Sequence, residues 1–269
     1  MTTASSASGM SASFGELTTL AILAAMPEES AAFLPFIPRP GRLRLGSFPC
    51  RRFQVGGWDC WLLTSGMGMA RAARASQTII DSIHPRLLVS VGIAGAVNPD
   101  LAIADVVVAS QTCLLEHGRP GPLHRLARLT APAWQAMQQG LVARRARLHS
   151  GTAVTTRAAQ FIQPQERPLE NPILEMETFG ILQVSASAGI PLLSIRSISD
   201  GPQAPLPFDL EKMIDENDNL RIGQILTALL RRPHMLPQLL RMQANSRLAA
   251  AQAAFALLSA LRCPGPLIS

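Results

Sequence analysis

Short, largely apolar runs at residues 17–25, 60–64, 87–91, 106–109 and 192–195 alternate with stretches of helix-forming composition at residues 69–83, 131–143 and 176–188. Apolar runs of this length without polar alternation predict strands covered on both faces, and the longer stretches predict the helices that cover them. Strand and helix alternation of this kind predicts an α/β domain with a central sheet and with loops, and hence ligands, at the strand ends. Turn clusters at Arg39-Pro40-Gly41, Asn98-Pro99-Asp100, residues 118–122 and residues 201–207 punctuate the pattern. Beyond the last of these the character changes. Ile222, Ile225, Leu226, Leu229 and Leu230 follow helical spacing until Pro233 stops them, and a second helix is expected from Pro237 to about residue 261. Residues 1–16 are small and polar, with neither a basic nor an apolar targeting segment, and are expected to be a disordered leader. The predicted organisation is therefore a leader over 1–16, an α/β domain over 17–208 and basic, apolar C-terminal helices over 209–269.

Composition narrows the class. Of the 269 residues 48% are hydrophobic and 16% charged, enough to build a sizeable core in one domain. Four cysteines stand without a CxxC pair or a histidine at ligand spacing, which supports neither a disulfide framework nor a metal site and fits a reducing, cytoplasmic compartment. The longest uncharged run, between Glu177 and Arg196, is split by Gly189-Ile190-Pro191, and the run over 248–261 is shorter than the roughly 20 residues a membrane span needs.

Charge is distributed unevenly. The first 220 residues hold 17 Arg, one Lys and 18 acids, whereas the last 49 hold six Arg and no acid, so the whole formal charge of +6 resides in the C-terminal part. With no tyrosine and only 4% aromatic residues, the chain lacks the interleaved basic and aromatic pattern of a nucleic-acid binder. An acidic surface or anionic lipid headgroups suit such a tail better, by peripheral contact.

Candidate chemistry lies at the predicted strand ends. Gly66-Met67-Gly68 follows a strand and opens a helix, placing backbone N–H groups where an anion can dock, although the third glycine of a dinucleotide fingerprint is missing. Gly92-Ile93-Ala94-Gly95 forms a second glycine loop after the strand ending at Val91. Glu28 and Glu29 follow the first strand, where one can serve a helix start and the other a crevice. Glu175 and Glu177 flank Met176, and two residues apart in an extended segment both carboxylates could meet a diol. Asp200 ends the segment Arg196-Ser197-Ile198-Ser199-Asp200, where a buried carboxyl can act as a general acid. Each has a plainer alternative as a turn or helix-start residue. None of the five histidines has a metal or triad partner by spacing, and Ser65 lacks a nucleophile elbow.

In order along the chain, Ala24-Ala25-Met26-Pro27-Glu28-Glu29, Ser65-Gly66-Met67-Gly68, Val91-Gly92-Ile93-Ala94-Gly95-Ala96, Asp105-Val106-Val107-Val108, Leu174-Glu175-Met176-Glu177 and Arg196-Ser197-Ile198-Ser199-Asp200 resemble the nucleoside phosphorylase and nucleosidase superfamily. The resemblance implies a three-layer α/β/α sandwich around a mixed sheet, here with a C-terminal helical extension, and a homo-oligomer that is a dimer or an assembly of dimers. It also implies site roles. Glu177 would bind the ribose hydroxyls with Glu175 beside it, and Met176 would pack under the sugar. Ala94 and Gly95 would line the substrate. Asp200, positioned by Ser199, would protonate or hydrogen-bond the purine N7 as an oxocarbenium-like sugar forms, Glu29 would orient the attacking water, and Phe161 would stack on the base. No cofactor is implied. Phosphate is the one co-substrate in question: phosphate-using relatives carry Arg before the Val-Gly pair and Ser after it, where this chain has Ser90 and Ile93, which leaves hydrolysis or a phosphate held by other arginines such as Arg71. Within the superfamily the tail looks most like the hopanoid-associated subgroup, implying an adenine nucleoside with a bulky 5′ substituent such as adenosylhopane. A methylthioadenosine/S-adenosylhomocysteine nucleosidase and a non-catalytic nucleoside binder are the alternatives.

Overall fold

The computed structural model describes residues 17–156, 168–202 and 236–269. Its strands are β1 (Thr18–Ala24), β2 (Gly41–Leu45), β3 (Phe48–Val55), β4 (Trp58–Thr64), β5 (Leu87–Ala96), β6 (Val106–Glu116), β7 (Arg119–Pro120), β8 (His124–Arg125), β9 (Leu148–Thr155), β10 (Pro172–Glu175) and β11 (Leu192–Asp200). The helices are α1 (Pro27–Ala31), α2 (Met69–Ile83), α3 (Ala131–Ala143), α4 (Thr178–Ser187) and α5 (Leu236–Leu261).

The sheet is mixed and runs β10-β9-β6-β11-β5-β1-β4-β3-β2. Its centre is parallel, with β1 beside β4 and β5 and β11 beside β5, whereas β6 lies antiparallel to β11. Strand β10 pairs with β9 on one side and, antiparallel, with Gly95 and Ala96 of β5 on the other. That second pairing closes β5, β11, β6, β9 and β10 into a ring, plugged by Ala94, Ala96, Leu101, Val107, Ile173 and Ile198.

Helices cover both faces. Residues of α2 and α4, such as Ala72, Ile79 and Ile181, pack with Leu88 of β5 and Leu192 of β11. On the other face Met137 and Leu141 of α3 and Ala253, Leu257 and Leu261 of α5 pack with Leu87, Val89, Leu193 and Ile195. Three layers around a mixed sheet therefore match the expected architecture.

One expectation changes. The strands over 87–91 and 192–195 run on to Ala96 and Asp200, so Gly92-Ile93-Ala94-Gly95 is part of β5 rather than a loop after it. Pairing with β11 along one edge holds all four residues extended, and β10 pairs with Gly95 and Ala96 along the other. Helix α5 stands where the last C-terminal helix is expected: its last half, from Ala249 to Leu261, is buried in the same core as β1, while Leu240, Arg241, Arg247 and Leu248 in its first half are exposed. No described helix is long and apolar enough to cross a membrane. The leader, the helix expected around Ile222 to Leu230, the boundary at 208/209 and Phe161 lie outside the described residues.

Candidate active site

The site is assembled at the ends of β1, β4, β5, β10 and β11. The chain leaves β1 through Met26-Pro27 into α1, and Pro27 suits a first helical position. Of the two glutamates there, Glu28 is exposed and Glu29 is buried. Glu29 Oε2 accepts from the N–H of Met26 at 2.9 Å, closing the start of the helix, and Oε1 accepts from the N–H of Ile93 at 2.9 Å. It thereby joins α1 to β5. Burial raises its pKa above the ordinary carboxylate range, against the pull of the Arg196 guanidinium and of backbone N–H donors.

Glycines in β5 make the space. A Cβ on Gly92 would stand 2.4 Å from Glu29 Oε1, and one on Gly95 would stand 2.7 Å from Asp200 Oδ2. The two carboxylates thus lodge against one strand at positions about 10 Å apart along it. Asp200 is the last residue of β11, where a bulge between Ile198 and Asp200 offsets the register against β5. Ser199 Oγ lies 2.5 Å from Asp200 Oδ1 and 3.3 Å from the Ala94 carbonyl, which ties the acid to the same strand.

At the turn between β4 and α2, Gly66 and Gly68 both take positive φ values, 84° and 95°, which side chains rarely adopt. The N–H of Gly68 does receive a carboxylate, and it is the protein's own: Glu177 Oε1, at 3.0 Å. Glu177 precedes the first turn of α4. Burial first, then the Glu175 carboxylate, push it up to about 7, with Arg196 opposing and Glu29 adding to the rise.

Glu175, expected beside the sugar, is instead enclosed. Its side chain has 0% exposure against 11% for Glu177, and this decides which of the two can reach a ligand. Its Oε2 accepts from the N–H of Glu177 at 2.9 Å, the N–H and hydroxyl of Thr178 at 2.8 and 2.9 Å, and Arg196 Nη2 at 2.9 Å, while Oε1 accepts from Thr155 Oγ1. The chain turns from β10 into α4 at this point, so the orphan N–H groups of the helix start need an acceptor and Glu175 supplies it. Burial pushes Glu175 upward, but Arg196, Thr155 and the two N–H groups outweigh it and hold the carboxyl below its ordinary range.

Arg196 is the functional residue the motif reading left without a role. It is 2% exposed, and Nη2 donates to Ser90 Oγ at 2.7 Å as well as to Glu175, with Glu177 Oε2 at 3.7 Å. A charged residue in the middle of an apolar strand was the available signal, since a buried guanidinium must be paired. Met176 is half-buried between the two glutamates, and Phe179, one turn on, meets the His124 ring edge-on at 5.5 Å. Arg71 lies over Gly66, where an added Cβ would stand 2.9 Å from its Nη1. Among the described residues no group of three His, Cys, Asp or Glu is arranged to hold a metal ion.

The site thus combines a ring-closed α/β sandwich with Glu29 and Asp200 against β5 and Glu177 at the start of α4. The chain belongs to the phosphorylase superfamily, whose family model matches residues 19–231, and it is an enzyme of the nucleosidase or phosphorylase type that breaks N-glycosidic bonds. A 5′-methylthioadenosine/S-adenosylhomocysteine nucleosidase of Marinomonas sp. is 27% identical over 231 residues, spanning 78% of this chain and 99% of that protein. A futalosine hydrolase of Streptomyces coelicolor is 30% identical over 191 residues, 64% of this chain and 75% of that one. Among solved structures, a methylthioadenosine/S-adenosylhomocysteine nucleosidase of Colwellia psychrerythraea in complex with adenine has a TM-score of 0.66 at 18% identity, covering 94% of this chain and 98% of that one.

Proposed function

We propose that the protein hydrolyses the N-glycosidic bond of an adenine nucleoside and releases adenine. The observation that carries this reading is the placement of Glu29 and Asp200 against Gly92 and Gly95 at the end of β5, with Glu177 near Glu29 at the start of α4. Asp200, tied to Ser199, delivers a proton to purine N7 as the C1′–N9 bond breaks and its electron pair passes to the base. Glu177, the partly exposed member of the pair, accepts from the ribose hydroxyls. Glu29 holds a water whose oxygen bonds to C1′ and takes its proton. The relatives named above are nucleosidases or hydrolases of the same family.

Water is the proposed acceptor rather than phosphate. Ser90, where phosphate-using relatives carry arginine, is 1% exposed and its hydroxyl is committed to Arg196, and the N–H of Ile93 is committed to Glu29. For the 5′ substituent we propose a bulky apolar group of the adenosylhopane kind, with peripheral contact to anionic lipid through the C-terminal arginines. The exposed first half of α5, with Leu240 and Leu248 beside Arg241 and Arg247, supports that contact. Adenine release from adenosine, methylthioadenosine and a lipid-linked adenosine, each with and without phosphate, tests both parts. Phosphate-independent release, fastest from the lipid-linked substrate, is expected; brisk release from methylthioadenosine alone would reassign the 5′ group, and a strict phosphate requirement would overturn hydrolysis.

A further inference from the structure

Three buried glutamates, Glu29, Glu175 and Glu177, surround a single arginine, and that arginine is not shared evenly. Arg196 Nη2 stands 2.9 Å from Glu175 Oε2 and 3.7 Å from Glu177 Oε2. The first distance is a charge-assisted hydrogen bond and the second is not. Glu175 has no exposed side-chain surface, and both of its oxygens are occupied by Thr155, Thr178, the N–H of Glu177 and Arg196. It therefore cannot be a sugar ligand without dismantling the start of α4.

We infer that Glu175 is a positioning residue that holds Arg196 in a close hydrogen-bonded pair with itself, so that the Glu177 carboxylate next to it is left at the longer ion-pair distance and open to the ribose hydroxyls. The inference rests on the proposed reaction for the identity of the ligand, and on the geometry alone for the competition between the two glutamates. A carboxylate paired to a guanidinium through a close bond has fewer lone pairs to offer a diol. Glu177 gives one oxygen to the N–H of Gly68 and keeps the other at the longer distance.

The groups around Glu177 give the competition a pH signature. Glu175 faces it from β10, Arg196 from β11, Glu29 from α1 and the N–H of Gly68 from the start of α2, with the Arg71 guanidinium over the neighbouring Gly66. On the far side of Glu175 stands the Cys113 thiol of β6, pushed up to about 11 by burial and then by the Glu175 charge, so it stays neutral and does not compete. Removing the Glu175 charge withdraws a negative neighbour from Glu177 and releases the arginine toward it. Both effects favour the ionised form of Glu177.

The test is Glu175→Gln, which keeps the shape and an acceptor but not the charge, compared with Glu175→Asp, which keeps the charge but not the length. With methylthioadenosine as the probe substrate, E175Q is expected to move the acid limb of the kcat/KM profile down by about one pH unit. Its KM is expected to rise roughly tenfold as Glu177 becomes paired, with a smaller change in kcat. E175D is expected to lose thermal stability and to keep the limb in the wild-type position. Equal limb shifts in both variants, or a limb that E175Q does not move, would overturn the inference.

A second measurement needs neither variant nor turnover. An infrared titration of the wild-type protein labelled with ¹³C at glutamate carboxyls is expected to show one buried carboxylate that titrates below the ordinary glutamate range and, apart from the raised Glu29, another that titrates at about 7. A single common titration of both would contradict the assignment. Wild-type protein that shows this titration but releases no adenine would leave the pairing intact and remove the proposed function instead.

Discussion

Strand β11 presents two faces that are built on opposite physical terms. Leu193 and Ile195 point into the layer of α3 and α5, where they meet Met137, Leu257 and Leu261 in a wholly apolar contact. Ser194 and Arg196, one residue out of phase, point the other way and are wired by Thr178, Ser90 and Glu175. The apolar face can lose a methylene and keep its topology, since its energy is spread over many small contacts. The polar face cannot lose a partner without stranding a buried charge. Over residues 193–196 the apolar packing and the polar network thus fall on opposite faces of a single strand.

Breaking the polar side is expected to give the largest effect on activity. Asp200→Ala removes the proposed acid and should lower kcat by roughly 10²–10⁴-fold, measured as adenine release, with little change in thermal midpoint. A smaller but more diagnostic loss is expected from Gly92→Ala. The added Cβ meets Glu29 Oε1 at 2.4 Å, so the carboxylate must shift and kcat should fall by about 10²-fold although no reacting group is removed. Gly201→Ala, with nothing within 4 Å among the described residues, serves as its silent counterpart.

Protonation sharpens the same contrast. Glu177 holds its proton up to about 7 in the folded protein against an ordinary 4.5, and Glu29 is shifted in the same direction. Between those values the folded state binds protons that the unfolded chain has released, so stability from these groups is present at low pH and is lost as pH rises toward 7. The melting temperature is expected to decline from about pH 5 to pH 8, and the decline should shrink in Glu177→Gln. Asp105 works in the other sense: burial opposes its ionisation, but Arg147, two backbone N–H groups and His149 outweigh it and lower its pKa, and its contribution is lost only as the solution is acidified.

On the apolar side the smallest effect on activity is expected. Leu257→Ala empties a fully buried position in α5 and should cost about 2–5 kcal/mol of stability in a denaturant titration, with kcat near the wild-type value at temperatures where the variant is folded.

The sequence pattern made one of these faces far more legible than the other. Helices α2 and α3 stand at the residues their composition predicts, and the strands that start at Leu87 and Leu192 begin where the apolar runs begin. What the pattern hid are the polar continuations. Glycine and alanine after Val91 resemble a loop, and only pairing with β10 and β11 keeps them extended. The β2–β3 hairpin was missed because its strands carry Arg42, Arg44, Arg51 and Arg52 at a sheet edge, where exposure replaces the apolar signal. In the site, Glu29, Glu177 and Asp200 were named from short motifs, whereas Ser90, Thr155, Thr178 and the pairing of Arg196 depend on contacts between residues far apart in the chain. Glu175 and Glu177 looked equivalent at a spacing of two; a turn between strand and helix makes one an anchor and leaves the other partly exposed.

The most direct test of the central claim is chromatographic detection of free adenine from a 5′-substituted adenosine, with phosphate omitted and then added, for the wild-type protein and for D200A. The account predicts release that is indifferent to phosphate and abolished or nearly so in D200A. Release that requires phosphate, or release that D200A leaves unchanged, would contradict it.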